Sequence, residues 1–251
     1  MSGHSKWHSI KHKKGAADAK RGKIFTAHAK LIALAAQQGG GDPEMNPSLR
    51  AAIDRAKMDN VPNANIDRAI KKGTGELAEG NALAEVIYEA YGPGGIAIFV
   101  QAITDNRNRT VSNVRSALSK HGGNMGEAGC VAWMFEKKGL ITLDIEGMNL
   151  ETVEMAVIES GADDMKVDGK VMEVYTPYQN FGEVKKALEA AGMKVTNAEI
   201  ASIAKDSIKI EDAVMAGKIL RLMDALDEDD DVTNVSSNFD IPETILEQIA
   251  N

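Results

Sequence analysis

Between residues 139 and 204 the chain spells out a complete βαββαβ order. GLITLDI reads as a strand and NLETVEMAVIESG as a helix, followed by DMKVDGKVMEVYT as two strands around Asp168-Gly169. FGEVKKALEAAG then reads as a helix and KVTNAEIASI as a strand. This order is that of a ferredoxin-like split sandwich, which closes on its own apolar faces. A closed unit in mid-chain constrains everything around it, because the segments on either side must fold past it.

Those flanking segments are incomplete alone and complementary together. Upstream, EVIYEAYGPGGIAIFVQAITDN is two strands joined by a Gly92-Pro93-Gly94-Gly95 turn. The second strand, Ile96 to Ile103, is largely apolar, as suits a buried central strand. NRTVSNVRSALSKHGG follows as a helix with Val111, Val114 and Leu118 inward and Gly122 closing its end. CVAWMFE reads as a further strand-like run. Downstream, AVMAGKILRLMDALDED is a helix and DVTNVSSNFDI a strand. These last elements find their partners in the upstream unit. Residues 139–204 are therefore expected as an insertion in a discontinuous α+β domain made of residues 79–138 plus 205–251.

Residues 1–78 have a different texture. IFTAHAKLIALAAQQ places Ile24, His28, Leu31 and Ala35 on one helical face, with Phe25, Ala29, Ile32 and Ala36 beside it. Gly39, Gly40 and Gly41 end that helix. Asn46 reads as an N-cap with Pro47 in the first helical position. Leu49, Ala52, Ile53 and Ala56 face inward, Pro62 breaks the chain, and IDRAIKK is a short third helix. The expected fold is α+β with three domains: an N-terminal helical bundle, the discontinuous α+β domain and the inserted ferredoxin-like domain.

The chain carries a net charge of −8, but this is unevenly spread. Residues 1–75 are net +8 and residues 76–251 net −16. The first 23 residues alone hold seven Lys/Arg against one acid, Asp18. Lys6, Lys11, Lys13, Lys14, Lys20, Arg21 and Lys23 can displace counterions from phosphates, and Trp7 among them can stack on a base. His4, His8 and His12 fall on one face if this arm is helical. Seven neighbouring cations oppose a bound metal dication, so the histidines are read as hydrogen-bond donors to phosphate. The acidic remainder would be repelled by phosphate, leaving one end of the molecule as the docking face.

No catalytic constellation emerges. GAADAKRGK at 15–23 lacks the spacing and the Ser/Thr of a phosphate-binding loop. Asp227 to Asp231 read as a solvated acidic turn, and Cys130 as a buried thiol opening a strand. A single cysteine excludes an intramolecular disulfide and any Cys-rich zinc site. Neither metal nor cofactor is expected. No apolar run approaches the roughly 18–20 residues of a membrane span, and no signal peptide is read at the start; a cytoplasmic monomer is expected. Arg107 and Arg109 sit where a helix dipole is already positive. With Asn106, Asn108 and free backbone amides they could hold a phosphate or an acidic partner, with Asp105 as an offsetting cap.

GHSKW at 3–7, KHKK at 11–14, DAKRGKIF at 18–25, GGGDPEMNPSLRAAIDRAK at 39–57, YGPGG at 91–95, TDNRNRT at 104–110 and NFDIP at 238–242 together resemble the YebC family. The resemblance covers essentially the whole chain. It implies three domains, no enzymatic activity, and nucleic-acid binding as a probable transcriptional regulator, with mitochondrial relatives acting as translational activators. The family's basic motif maps onto Gly3, His4, Ser5, Lys6, Trp7, Lys11, His12, Lys13, Lys14, Lys20, Arg21 and Lys23. Two functions follow as expectations: a DNA-binding transcriptional regulator, or a ribosome-associated factor that binds rRNA or tRNA and relieves stalls at sequences such as proline runs.

Overall fold

The computed structural model describes residues 17–77 and 81–250. The chain opens on helices α1 (Ala17–Gly39), α2 (Pro47–Met58) and α3 (Asn63–Gly73). Helix α1 begins seven residues before Ile24, so the end of the basic arm is helical. Alanines and an early acid favour that extension. Asn46 caps α2 by accepting from Leu49 N at 3.0 Å, with Pro47 at the first helical position. Its amide nitrogen also donates to Ala35 O and Gly40 O at 2.8 and 2.9 Å, tying α1 to α2. Helices α1 and α3 pack very closely at Gly73, where a Cβ would stand 2.2 Å from Ala33 O. The core of this domain is Ile32, Ala35, Ala36, Leu49, Ile53, Ala56, Val61, Ile66 and Ala69.

The body is a four-stranded sheet of order β3-β1-β2-β9, built from β1 (Ala84–Tyr91), β2 (Ala97–Thr104), β3 (Asn124–Met125) and β9 (Val232–Ser237). β1 and β2 run antiparallel around the glycine turn, where Gly94 and Gly95 take φ of +75° and +76°. Helices α4 (Arg107–Lys120) and α7 (Ala213–Asp227) cover one face, burying Val100, Val114, Leu118, Ile219, Leu222 and Val235. β9 pairs with the central strand β2 although some 130 residues separate them, as the insertion reading requires. A short pair of β8 (Ile208–Lys209) and β10 (Phe239–Asp240) leads to a final helix, α8 (Glu243–Ala250), whose Ile245, Leu246 and Ile249 join the same core. The sequence reading had no counterpart for α8.

The inserted sheet has order β5-β6-β4-β7, from β4 (Phe135–Asp144), β5 (Asp164–Asp168), β6 (Val171–Pro177) and β7 (Lys194–Ala204). Helices α5 (Leu150–Glu159) and α6 (Phe181–Ala190) share its core of Ile141, Leu143, Val153, Val157, Met172, Val174, Val184 and Leu188. This is the ferredoxin-like order. The strand expected from Gly139 begins at Phe135. Of the run CVAWMFE only Phe135 and Glu136 are strand, as the start of β4; Ala132–Met134 curl into a 3-10 turn. The cause is Glu89, a buried carboxylate on β1 that accepts the backbone N–H groups of Gly129, Val131 and Ala132 at 2.6, 2.7 and 2.7 Å. Burial pushes its pKa up; the three N–H donors outweigh that and hold it below the usual carboxylate range. Cys130, within this caged loop, is half-buried, and burial raises its thiol pKa.

Candidate nucleic-acid interface

The helical domain meets the body across a cleft of about 820 Å³. Helix α1 and Lys72 of α3 line one side; α4 and the acidic turn after α7 line the other. Apolar contact between Ala33 and Leu34 of α1 and Leu83 and Ile103 of the body closes the junction. The Gln37 amide completes it, donating to Leu83 O and accepting from Leu83 N, both at 3.0 Å.

Asp231 organises this cleft. It is 3% exposed and directly precedes the strand β9. Lys30 of α1 donates to Oδ1 at 2.6 Å, and Arg109 of α4 donates to Oδ2 at 2.8 Å. The hydroxyls of Thr110 and Thr104 donate to the same Oδ2 at 2.8 and 3.1 Å. Burial pushes the Asp231 carboxyl up; the donors from Lys30, Arg109 and Thr110 overcome it and hold the pKa at about 2. Lys30 also donates to Asp230 O at 2.7 Å, and Lys23 pairs with Asp227 at 3.4 Å. Cations from α1 thus answer the negative end of α7.

This corrects the reading of Asp227–Asp231 as a solvated turn. Glu228 and Asp230 are exposed, but Asp231 is an internal anchor and Asp227 is paired. It also changes the standing of the α4 terminus. The N-cap is Asn106, accepting from Arg109 N at 3.1 Å, while Asp105 pairs with the Arg109 side chain at 2.9 Å. Arg109 is therefore held between two carboxylates, and the dipole cost expected at this helix end is met inside the molecule. Arg107 is exposed and has no ion pair among the described residues.

His4, Lys6, Trp7, Lys11, His12, Lys13 and Lys14 lie outside the described residues. Lys20 and Arg21 fall on α1. Lys23 faces a carboxylate of the body. The sequence reading missed Lys30, although it stands seven residues after Lys23 and so on the same helical face. It missed Lys72 and Lys120 as well, which line the cleft without an ion-pair partner among the described residues. Only the tertiary fold brings those two into one cleft.

A helical domain rich in cations, seated on an acidic α+β body that carries a ferredoxin-like insertion, defines the class: a three-domain α+β protein with charge segregated to one end. The chain belongs to the TACO1/YebC family. Residues 5–76 match the family model described as the TACO1/YebC protein N-terminal domain, and residues 83–239 the one described as the TACO1/YebC second and third domain. A relative from Halothermothrix orenii is 49% identical across 99% of both chains. Another from Trichlorobacter lovleyi is 54% identical over 99% of this chain and 100% of its own. Both are named "Probable transcriptional regulatory protein", so the family is one of regulators. A solved structure, the conserved hypothetical protein Aq1575 from Aquifex aeolicus, superposes with a TM-score of 0.84 at 47% identity, covering 93% of this chain and 96% of that one. No helix among the described residues is long and apolar enough to cross a membrane.

Proposed function

We propose that this chain is a non-enzymatic regulator of gene expression that binds nucleic acid through its cationic N-terminal end, acting on DNA as a cytoplasmic, monomeric transcriptional regulator. The observation that carries this reading is the charge split, net +8 over residues 1–75 against −16 over the rest. Lys23 and Lys30 are engaged by acids of the body, so phosphate contact falls to the basic residues that precede them. Lys72, Lys120 and Arg107 supply further unpaired positive charge at and near the cleft. Neutralising about five to seven phosphates gives a slope of log K against log salt of roughly −4 to −6. Fluorescence anisotropy on the full chain and on a chain starting at Ile24 tests this. The shortened chain is expected to lose most of its affinity and most of its salt slope. Equal affinity and slope would refute it.

A second reading is a translation factor on structured RNA. It is favoured by the arm's composition, rich in Lys and poor in side chains that read base edges. Competition separates the two. A labelled promoter-sized duplex is bound first, then random duplex or ribosomes are added at about 150 mM salt. Preference for one DNA sequence by about 10³-fold or more marks the transcriptional regulator. Indifference to DNA sequence with far stronger competition by ribosomes marks the translation factor.

A further inference from the structure

Aromatic residues make up only 4% of this chain. Phe99, Phe135, Tyr175 and Phe239 are buried. Trp133 departs from that pattern at 68% exposed, and Tyr91 at 42%. Both nevertheless spend their polar atoms inside the molecule. Tyr91 Oη donates to Cys130 O at 3.0 Å, and Trp133 Nε1 to the same oxygen at 3.1 Å. That oxygen is itself held in place, because Glu89 grips the backbone of residues 129, 131 and 132. Two large side chains are thus restrained at the surface in advance, so a partner that covers them forfeits little rotamer entropy.

The strand beneath continues this surface. Glu85, Ile87, Glu89 and Tyr91 alternate onto the face of β1 away from α4 and α7, whose core takes Val86, Tyr88 and Ala90. Ile87 is 51% exposed. From Glu85 to Tyr91 the strand covers roughly 20 Å at about 3.3 Å per residue. The charge here is negative. Glu85 is exposed beyond Ile87. Glu127, also exposed, begins the turn that presents Cys130, its carbonyl accepting from Cys130 N at 3.2 Å. Burial, then the charges of Glu89 and Glu127, push the Cys130 thiol up, so both carboxylates are felt where the two aromatic side chains are anchored. Neither Glu85 nor Glu127 has an ion-pair partner among the described residues. Lys205 is the cation bonded to this loop, and its Nζ is turned to a main-chain oxygen, Trp133 O, at 2.8 Å.

We propose that Trp133, Tyr91 and Ile87 form a docking surface for an arginine-bearing segment of a partner protein, with Glu85 and Glu127 answering its guanidinium groups. Apolar exposure alone suits many proteins; the unpaired carboxylates select a cationic one. A guanidinium stacks on an indole face and pairs with a carboxylate at its edge, which an ammonium does less well. The net −16 of residues 76–251 draws such a partner in and repels nucleic acid from this side. Roughly six extended residues, or roughly 13 helical ones, span the distance from Glu85 to Tyr91. The surface lies across the sheet from α4, so a docked protein leaves the cationic end free.

The chain has two tryptophans, so Trp7→Phe leaves Trp133 as the sole indole reporter. A short peptide of alternating arginine and leucine is expected to shift its emission saturably, and one with glutamate in place of arginine to leave it unmoved. By anisotropy of the labelled arginine peptide on the otherwise native chain, Trp133→Ala is expected to weaken binding about 5- to 30-fold, with Trp133→Phe restoring part of it. Glu85→Gln with Glu127→Gln is expected to weaken binding and flatten its salt dependence, whereas Glu228→Gln with Asp230→Asn, in the cleft, changes neither. A peptide that binds without moving Trp133 emission, or that binds Trp133→Ala equally well, would overturn the surface. An oligonucleotide that moves Trp133 where the peptide does not would overturn the choice of partner. So would a shift of Trp133 emission in the absence of peptide on Lys11→Gln, Lys13→Gln and Lys14→Gln together, which would give the surface to the chain's own basic arm.

Discussion

The inserted domain and the helical head are held in the molecule by different physics. The insertion closes on ten buried apolar residues, all supplied by residues 141–198. The head buries nine, four of them alanine, and shares a further cluster with the body through Leu83 and Ile103. Its other ties to the body are polar, among them Lys23 to Asp227, Lys30 to Asp231 and Gln37 to Leu83. Area removed from water is the main source of stability, so small side chains leave a domain dependent on its neighbours. One region is thus encoded locally. The other is positioned by long-range charge pairs, at the end of the chain where the cations are concentrated.

The sharpest way to break this comparison is to separate the two. A fragment spanning residues 135–204 is expected to give a dispersed amide NMR spectrum and a cooperative urea transition. A fragment spanning residues 17–77 is expected to be partly helical without a cooperative transition, having lost Leu83, Ile103 and its acidic partners. A collapsed spectrum from the insertion, or a cooperative melt from the head, would reverse the assignment.

The next effect in size belongs to Asp231. Asp231→Asn keeps the shape and removes the charge, leaving Lys30 without its carboxylate and Arg109 with Asp105 alone. Breaking a buried pair costs about 3–5 kcal/mol, and the partial exposure of Arg109 places this case near about 3 kcal/mol by urea unfolding. The pH dependence has a definite sign. The folded-state pKa, at about 2, lies below the ordinary carboxylate value of 3.8. The contribution of Asp231 is therefore complete above about pH 4 and is lost as pH falls toward 2. The stability gap between native and variant chains should close over that window. A gap that stays constant down to pH 2 would show that the variant acts through packing instead of charge.

These differences explain what could be read from the sequence. The insertion was legible because strand and helix periods, turn glycines and apolar faces all lie within a few residues of one another. The Asn46-Pro47 helix start was legible for the same reason. The Asp231 network was not, because a run of acids looks solvated until Lys30 and Arg109 arrive from elements some 200 and 122 residues away. CVAWMFE has the composition of a strand, and only Glu89, on a different strand, turns its backbone inward. For the nucleic-acid interface, the sequence showed where positive charge concentrates. It could not show that Lys23 and Arg109 are answered by carboxylates, nor that Lys72 and Lys120 share a cleft.

The smallest expected effect tests whether the head also touches the insertion in solution. Arg55 of α2 pairs with Glu199 of β7 at 2.6 Å, with side chains 39% and 11% exposed. A half-exposed pair of this kind contributes about 0.2–1 kcal/mol, so a double-mutant cycle of Arg55→Ala and Glu199→Ala should give a small positive coupling. A more discriminating readout lies beside it. Asp59 accepts from, or shares a proton with, His28 at 2.6 Å, and this hydrogen bond is the main reason its pKa is lowered. Arg55 lowers it further by its charge, while Glu199 raises it. Carboxyl NMR titration should therefore show Asp59 moving up in Arg55→Ala and down in Glu199→Ala. Shifts of opposite sign at one carboxyl require a cation and an anion from two different domains to stand near it together. If Glu199→Ala leaves Asp59 unmoved while Arg55→Ala shifts it, the head is not seated against β7 in solution, and its contacts with the body alone fix its position.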